Sequence, residues 1–207
     1  MSKSFLTSNI KYLFMWEYDE LIDTIKRVDF SSKFMLRNLT VFLVAEYCGL
    51  RASEVGMIQF SDYNNDATNP TIFCRRLKGS VSNTLKIVDP RVFEALDKFY
   101  KLRYEDPNHG KFLFASKTEK PLDRRTLDCL MKYYCSFTNI PEEKWHFHTL
   151  KHTRAMDLIE NIEGIDIRDV QWWLGHKYIS NTMIYLNYSV QAQQKLYAKL
   201  INNTRQQ

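Results

Sequence analysis

Arginine, lysine, histidine and tyrosine occur together in four short segments of this chain, and these residue types can do acid–base and nucleophilic chemistry without a metal. The segments cover residues 46–55, 75–79, 148–155 and 172–185. Cleavage of a phosphodiester needs cations around the non-bridging oxygens, a nucleophile, and an acid that protonates the leaving oxygen. The four segments contain all of these groups, so phosphoryl transfer is the first chemistry to consider.

The first two segments supply cations. Arg51 follows a predicted helix end, and its guanidinium is a rigid two-pronged donor that stays charged and that Glu54 could orient from the next turn. In the second segment Lys78 lies in a predicted turn, with Lys86 as the alternative lysine. Each of these residues, taken singly, is equally typical of a solvated surface.

Histidines cluster in the third segment. His148 and Lys151, three residues apart, share one face of a predicted helix. The spacing of His146, His148 and His152 would also let a helix present two imidazoles to zinc. The segment lacks the glutamate of an HExxH motif and has no cysteine nearby, so we expect no metal site. We also expect no nucleotide cofactor, because the chain contains neither GxxxxGK[ST] nor GxGxxG.

The fourth segment contains the candidate nucleophile. A Leu-Gly-His sequence ends at His176, and Tyr185 and Tyr188 follow it. A phenol with an ordinary pKa near 10 is a poor nucleophile at neutral pH, so it needs cations or a base such as His148 nearby. The interval from His176 favours Tyr185 over Tyr188. The alternative interpretation is an aromatic helix end that packs in the core.

In their order and surroundings the four segments resemble those of the tyrosine recombinases, the phage integrase family. The chain contains a Gly-Leu-Arg-x-x-Glu motif, a His-x-Leu-Arg-His-Thr motif with lysine in place of its arginine, and Leu-Gly-His followed by Thr and Tyr. The resemblance covers nearly the whole chain and implies six site residues. These are Arg51 as the first phosphate-binding arginine, Lys78 as proton donor to the leaving 5′ oxygen, His148 as assistant in proton transfer, Lys151 at the position of the second arginine, His176 as hydrogen-bond donor to a phosphate oxygen, and Tyr185 as nucleophile.

Lys151 is the main departure from the family pattern. A lysine can balance phosphate charge as a point donor, but it cannot form the two-pronged contact of a guanidinium. Arg154 lies almost one turn further on and is the alternative, although spacing favours Lys151. The substitution leaves open a catalytically impaired DNA-binding regulator or accessory factor of the same fold. The shared chemistry leaves open a nicking and closing enzyme similar to type IB topoisomerases.

The resemblance implies a site-specific recombinase that acts on double-stranded DNA through a 3′-phosphotyrosyl intermediate and exchanges strands through a Holliday junction, without ATP or another cofactor. It implies a homotetramer on two DNA sites, with accessory DNA-bending proteins as further partners. Most family members carry an additional N-terminal helical domain, for which the residues before Arg51 are too few. We therefore expect a fragment or a naturally short member, similar in size to the short fimbrial-switch recombinases.

Composition narrows the class of protein only a little. A formal net charge of +5 permits binding to a polyanion. The N-terminal segment lacks the features of a signal peptide, and no segment approaches the run of about 18 apolar residues of a membrane helix. We expect a cytoplasmic protein, nucleoid-associated when it acts on DNA, without a membrane partner. Four cysteines without CxxC spacing are expected to be reduced: Cys48, Cys74, Cys129 and Cys135.

The elements that must position these segments are mostly helical. The apolar spacing before Tyr47 predicts a buried helix that ends in a left-handed cap at Gly49. Residues 71–74 and 85–88 are expected to form strands, and later helices are expected at 148–161, 167–174 and 180–185. The predicted fold class is therefore mainly α with a small antiparallel β-sheet.

The chain shows no internal repeat and no linker composition before its C-terminal end. We therefore expect one catalytic domain over residues 1–188. Residues 189–207 are expected to form a helical tail with an apolar stripe. In the family the segment after the tyrosine packs on a neighbouring protomer, so the tail is expected to pack either on its own core or on a second copy.

Overall fold

Helices dominate the computed structural model, which describes residues 10–32, 34–189, 194 and 197. The predicted fold class is confirmed, since the strands form one small antiparallel sheet. In chain order the elements are α1 (Met15–Val28), α2 (Met35–Tyr47), α3 (Ala52–Gly56), β1 (Tyr63–Asn64), β2 (Thr71–Cys74), β3 (Asn83–Lys86), α4 (Pro90–Tyr104), α5 (Arg124–Cys135), α6 (Thr149–Glu160), α7 (Ile167–Leu174) and α8 (Ser180–Met183). Short 3-10 turns lie at Phe60–Asp62, Glu142–Lys144 and Ile184–Asn187.

Helix α2 lies at the centre of the core. Residues 41–45 are all buried, because this part of the helix is apolar on every side, and α1, α4 and α6 pack around it. The helix ends at Gly49, which has a φ of +59°, and the N–H groups of Gly49 and Leu50 bond back to the last turn at 2.9 Å. The predicted left-handed cap is confirmed. It places Arg51 directly after a buried helix end.

The three strands pair in the order β1–β2–β3. Strand β2 has the predicted bounds, whereas β3 begins and ends two residues earlier than the predicted strand at 85–88. The pairing stops where Thr71 faces Lys86. Beyond that point the hydroxyl of Tyr47 donates to the Lys86 carbonyl at 2.7 Å and accepts from the Val88 N–H at 3.0 Å. Ile87 still donates to the Pro70 carbonyl at 2.9 Å, but Pro70 has no N–H to return a hydrogen bond, so the ladder ends there.

The C-terminal helices carry the last two chemical segments. Helix α7 has the predicted bounds, begins at an Asp166 cap and ends at Gly175, whose φ is +66°. A Cβ atom at Gly175 would lie 2.5 Å from the Val81 carbonyl oxygen, so only glycine lets this helix end approach the β2–β3 loop. Helix α6 begins one residue after His148, and α8 continues into the 3-10 turn that contains Tyr185.

The predicted tail at 189–207 lies almost entirely outside the described residues. None of the helices in the described ranges is long and apolar enough to cross a membrane.

Candidate active site

A pocket of about 220 Å³ opens between the β2–β3 loop and the N-terminal ends of α3, α5 and α6. Three of the predicted site residues line it, namely Arg51, Lys78 and His148. The remaining side chains of its wall are those of Ala52, Ser53, Arg124 and Asp128. The pocket therefore brings together three cations that are distant in sequence, Arg51, Lys78 and Arg124.

Arg51 is held by the buried carboxylate of Glu54. Its guanidinium donates to Glu54 Oε1 at 2.7 Å and to the Ser80 hydroxyl at 3.2 Å, and its backbone N–H donates to Glu54 Oε2 at 2.8 Å. The backbone N–H of Leu77 donates to the same carboxylate at 3.0 Å. Glu54 therefore fixes Arg51 against the loop that carries Lys78, which is the orienting role predicted for it.

The pKa of Glu54 lies below its ordinary value. Burial alone would raise this pKa, but the backbone hydrogen bonds from Arg51 and Leu77 and the charge of Lys151 outweigh the burial. The carboxylate is therefore ionised at neutral pH. It is one negative charge beside several cations.

Lys78 lies at the tip of the β2–β3 turn. Lys78 and Gly79 have φ values of +55° and +73°, and the Ser80 N–H donates to the Leu77 carbonyl at 3.2 Å, as in type I′ turns. A positive φ is unusual for lysine. Lys78 is exposed at this turn, and its side chain forms part of the pocket wall. Lys86 is also exposed, but it lies on β3 and does not line the pocket.

Lys151 is buried and does not reach the pocket. Only 1% of the residue is exposed, and its ammonium group donates to the carbonyl oxygens of Gly49 at 3.0 Å and Leu174 at 3.1 Å. Burial, followed by the charge of Arg76, lowers the pKa of Lys151 to about 7. The predicted second phosphate-binding cation thus lies behind the pocket, with its hydrogen atoms directed at two helix ends.

Arg154, the alternative to Lys151, is engaged elsewhere. Its guanidinium donates to Asp157 at 2.8 Å and lies 4.9 Å from the ring centre of Tyr47 and 4.8 Å from that of Trp173. It does not line the pocket. Arg154 is thus committed to contacts outside the pocket, and the preference for Lys151 still rests on the spacing in the motif.

Tyr185 is buried, with 1% of the residue exposed, and its hydroxyl oxygen lies 2.9 Å from Nδ1 of His152. The ring of His148 packs on that of His152 with 4.5 Å between their centres. Burial raises the pKa of Tyr185 above its ordinary value, and the charge of Arg51 opposes this only in part. The phenol is therefore protonated and sheltered in this conformation.

His152 is a residue that sequence reasoning considered only for zinc. Its contact with Tyr185 makes it the nearest base to the candidate nucleophile. Burial, then the neighbouring His148 and Lys151, lower the pKa of His152 to about 3, so the ring is neutral at neutral pH and can accept the phenolic hydrogen bond. One sequence signal could have indicated this role: His152 lies one helical turn after His148, so the two side chains share a helix face.

His148 is exposed in the pocket, and its pKa is nevertheless lowered to about 4. Partial burial is the first cause, and the charges of Lys151 and Arg51 act in the same direction. Because both cations disfavour a charged imidazole, the pKa of His148 is lowered even though solvent reaches the ring. His148 is therefore neutral at neutral pH.

His176 is held by the end of α7. Its backbone N–H donates to the Gln171 carbonyl at 3.0 Å, and Nδ1 lies 3.0 Å from the Thr182 hydroxyl, which leaves Nε2 for another partner. Burial, then the charges of Lys151 and Arg51, lower the pKa of His176 to about 3. Thr182, the threonine of the motif, thus orients the imidazole.

Sequence reasoning also missed the contribution of α5. Arg124 and Asp128 line the pocket, pair with each other at 3.3 Å, and lie one turn apart at the start of the helix. Asp128 accepts a hydrogen bond from the Phe147 N–H at 3.1 Å, next to His148. The apolar residues of this helix, such as Leu127 and Met131, are spaced to face the core, and that spacing carries no information on the charged residues of the opposite face.

Within the described ranges no group of three histidine, cysteine, aspartate or glutamate residues is arranged to hold a metal ion. His152, one of the three histidines considered for zinc, contacts Tyr185 instead. The four cysteines are free thiols, and three of them are buried.

Comparison with known proteins gives a consistent family. The model of the phage integrase family matches residues 11–192. Tyrosine recombinase XerC of Caldanaerobacter subterraneus subsp. tengcongensis is 30% identical over 175 residues, which are 84% of this chain and 46% of that protein. Type 1 fimbriae regulatory protein FimB of Escherichia coli K12 is 29% identical over 150 residues, 72% of each chain. The chain spans about half the length of the first of these relatives.

Solved structures agree with the fold. The crystal structure of XerA recombinase is 26% identical with a TM-score of 0.73, covering 91% of this chain and 62% of that chain. XerH recombinase in a post-cleavage complex with a palindromic difH substrate has a TM-score of 0.80 at 20% identity, covering 95% of this chain and 55% of that one.

Proposed function

Because the chain belongs to the phage integrase family, we propose that it is the catalytic part of a site-specific DNA recombinase with Tyr185 as nucleophile. The observation that carries the proposal is the Tyr185 hydroxyl bonded to a neutral histidine beside a pocket walled by Arg51 and Lys78. A nucleophile, its base and phosphate-binding cations thus lie within one region of the fold.

In the proposed reaction the Tyr185 oxygen attacks the scissile phosphorus and forms a 3′-phosphotyrosyl bond as the bond to the 5′ oxygen breaks. The phenolic proton passes to His152, which requires the tautomer with its hydrogen on Nε2. Lys78, at the exposed turn, protonates the departing 5′ oxygen. Arg51 binds the non-bridging oxygens, where the transition state gathers charge.

His176 and Lys151 complete the proposed phosphate site. His176 has Nε2 free to donate, because Thr182 occupies Nδ1. Lys151 contributes positive potential from behind the pocket rather than a two-pronged contact, since its ammonium group is bonded to two carbonyl oxygens. The assignment of a second phosphate-binding role to Lys151 therefore depends on charge, not on direct reach.

The burial of Tyr185 requires a movement before cleavage. Only 1% of Tyr185 is exposed, so its hydroxyl cannot meet a phosphate that enters the pocket from solvent, and the turn at Ile184–Asn187 has to rearrange when DNA binds. Protonation and burial together protect the nucleophile until then. DNA binding is thus proposed to be the step that assembles the site.

Double-stranded DNA at a specific site is the proposed substrate, as in the XerH complex, whose partner is a difH sequence. We propose that four protomers act on two sites and exchange strands through a Holliday junction, with accessory DNA-bending proteins as further partners. Rejoining reverses the first step, so the bond energy is kept and no ATP is consumed. A cytoplasmic, nucleoid-associated location follows from the substrate.

A DNA-binding regulator without catalysis is the second candidate. The engagement of Lys151 with two carbonyl groups favours it, because that cation is not directed at a phosphate. The regulator would bind DNA through the same pocket and leave Tyr185 unused. A nicking and closing enzyme similar to type IB topoisomerases would use Tyr185 without a partner site.

Covalent adduct formation separates these candidates. The chain is mixed with nicked duplexes tiled across the DNA that flanks its gene, and products are resolved on a denaturing gel, while non-covalent binding is measured in parallel. We expect an adduct that disappears in Tyr185→Phe and persists in Tyr188→Phe, the matched control. Binding without adduct would support the regulator, and relaxation of supercoiled plasmid without a specific site would support the topoisomerase-like enzyme.

The assembly has its own test. Removal of the residues after Ser189 should weaken multimer formation on DNA while single-site binding is kept, as measured by native gel shift. Normal assembly of the shortened chain would contradict the proposed role of the tail.

A further inference from the structure

Arg76 lies two residues before Lys78 and has a completely buried side chain. One terminal nitrogen of its guanidinium donates to the Gly49 carbonyl at 3.0 Å. The other donates to the carbonyls of Cys48 at 2.9 Å and Trp173 at 2.7 Å. Nε donates to the side-chain oxygen of Asn83 at 3.3 Å. All the nitrogens of this cation are thus used inside the protein.

The three carbonyl groups that accept from Arg76 belong to two helix ends. Cys48 and Gly49 end α2, and Trp173 lies in the last turn of α7. Carbonyl groups at a C-terminal helix end lack partners within the helix and carry the negative end of its dipole, so a cation stabilises them. Arg51 follows the first of these ends and His176 follows the second.

Lys151 makes a second connection between the same two helix ends. It donates to the carbonyls of Gly49 and Leu174, so Gly49 accepts from both buried cations. Arg76 comes from the β2–β3 loop, whereas Lys151 comes from α6. The four chemical segments recognised in the sequence therefore meet at one pair of buried cations.

The charge around this pair is not balanced inside the protein. Glu54 is the carboxylate nearby, 3.9 Å from Arg76, and it also pairs with Arg51. Arg76, Arg51 and the partly protonated Lys151 thus share one buried carboxylate. Burying a cation costs free energy, and an apolar side chain of similar size would avoid that cost, so a phosphate in the adjacent pocket is the anion that this arrangement suits.

We infer that Arg76 is a positioning residue for the proposed recombination reaction, which holds the Arg51 turn and the His176 turn at a fixed separation and adds positive charge behind the scissile phosphate. The inference rests on the proposed function. It concerns a residue that touches neither DNA nor the nucleophile. Its effect passes through the two helix ends and through Lys151.

If Arg76 only stabilised the fold, its replacement would not change the pH dependence of cleavage. If it also acts through Lys151, the pH dependence should change. The groups that face Lys151 are Arg76, Glu54, Arg51 and Cys74, together with the neutral rings of His148, His152 and His176. After burial, the charge of Arg76 is the strongest influence that lowers the pKa of Lys151. Removing that charge should therefore raise the pKa of Lys151, and a protonated Lys151 should persist to higher pH.

The test compares Arg76→Met with Arg76→Lys, and uses Arg75→Met as the matched control. Arg75 is the neighbouring arginine, and it pairs with Asp62 at 2.6 Å, away from the pocket. The readouts are the rate of adduct formation at saturating nicked DNA, the pH profile of kcat/KM, the DNA affinity and the melting temperature.

For Arg76→Met we expect an about 10²-fold slower cleavage step at saturating DNA, since small displacements of reacting groups cost rates of this order. The alkaline fall of kcat/KM should move to higher pH. Arg76→Lys should recover part of the rate, because it keeps the charge without the planar fork. Arg75→Met should keep both the rate and the pH profile.

A folded Arg76→Met that cleaves at the wild-type rate, or whose pH profile does not move, would overturn the inference. If Arg76→Met does not fold, Arg76→Lys decides, and an unchanged rate in that variant would overturn it equally. A wild-type chain that forms no adduct would remove the proposed function, and the inference with it, before any variant is compared.

Discussion

The six residues singled out in the sequence divide into two groups that differ in exposure. Arg51, Lys78 and His148 line the open pocket, where a phosphate can reach them. Lys151, His176 and Tyr185 are buried, at 1%, 7% and 1% exposure. The half of the site proposed to bind phosphate is open in this conformation, whereas the half with the proposed nucleophile is closed.

In the proposed reaction, this difference would keep the free protein from cleaving before DNA is bound. The pocket cations Arg51 and Lys78 are open to solvent, whereas the phenol is protonated and sheltered, with its hydroxyl on His152. Binding and chemistry are thus separable properties of two regions. Variants of the open half should affect both phosphate binding and cleavage, whereas variants of the buried half should affect cleavage alone.

The largest expected effect is in the open half. Arg51→Ala removes the guanidinium that Glu54 directs into the pocket, and adduct formation should fall by about 10³-fold, the order found when a donor to developing charge is removed. DNA affinity should fall as well. Adduct yield and gel-shift affinity measure the two effects, with Arg75→Ala as the control. Unchanged cleavage would mean that the open pocket is not the phosphate site.

A smaller effect is expected from the base beside Tyr185. His152→Ala removes the acceptor of the phenolic proton, and cleavage should slow by about 10²-fold with DNA affinity unchanged. His146→Ala, an exposed histidine outside the pocket, is the control. A larger loss in His148→Ala than in His152→Ala would assign the base to the open half and contradict the division.

The pH dependence of cleavage should report Lys151. Because its pKa in the free protein is lowered to about 7, the fraction of charged Lys151 falls as pH rises through that value, and kcat/KM should fall with it by about tenfold per pH unit. Lys151→Arg keeps its charge over the whole range, so this fall should vanish. Identical profiles for both proteins would exclude a role for the charge of Lys151.

The smallest effect is on stability. His152 and His176 have pKa values lowered from 6.5 to about 3, so between these values the unfolded chain binds protons that the folded chain does not. Their contribution to stability is fully present above pH 6.5 and is lost as pH falls toward 3. The melting temperature should decline in this window, and less steeply in His152→Phe. If the melting temperatures of the wild type and of His152→Phe fell equally steeply with pH, His152 would be protonated in the folded protein.

Much of the fold could be predicted, because local sequence determines it. The Gly49 cap, the bounds of β2 and α7, and the glycine at the end of α7 all follow from short-range patterns. The shift of β3 could not be predicted, since the bounds of this strand depend on which residues of β2 pair with it.

The site was predicted less completely. Motif spacing identifies residue types, but not which side chains are buried. The inward direction of Lys151 depends on two helix ends that meet only in the folded chain. The contact between His152 and Tyr185, the pocket wall from α5, and the buried Arg76 are tertiary features for the same reason.

Peptide mapping of the covalent adduct tests the central assignment most directly. After adduct formation on nicked DNA, nuclease and trypsin treatment leave a nucleotide remnant on the peptide that begins after Lys177, and fragmentation mass spectrometry locates it. We predict the remnant on Tyr185. A remnant on Tyr188 or Tyr178, or its absence from all three when DNA is bound, would contradict the assignment of Tyr185 as nucleophile.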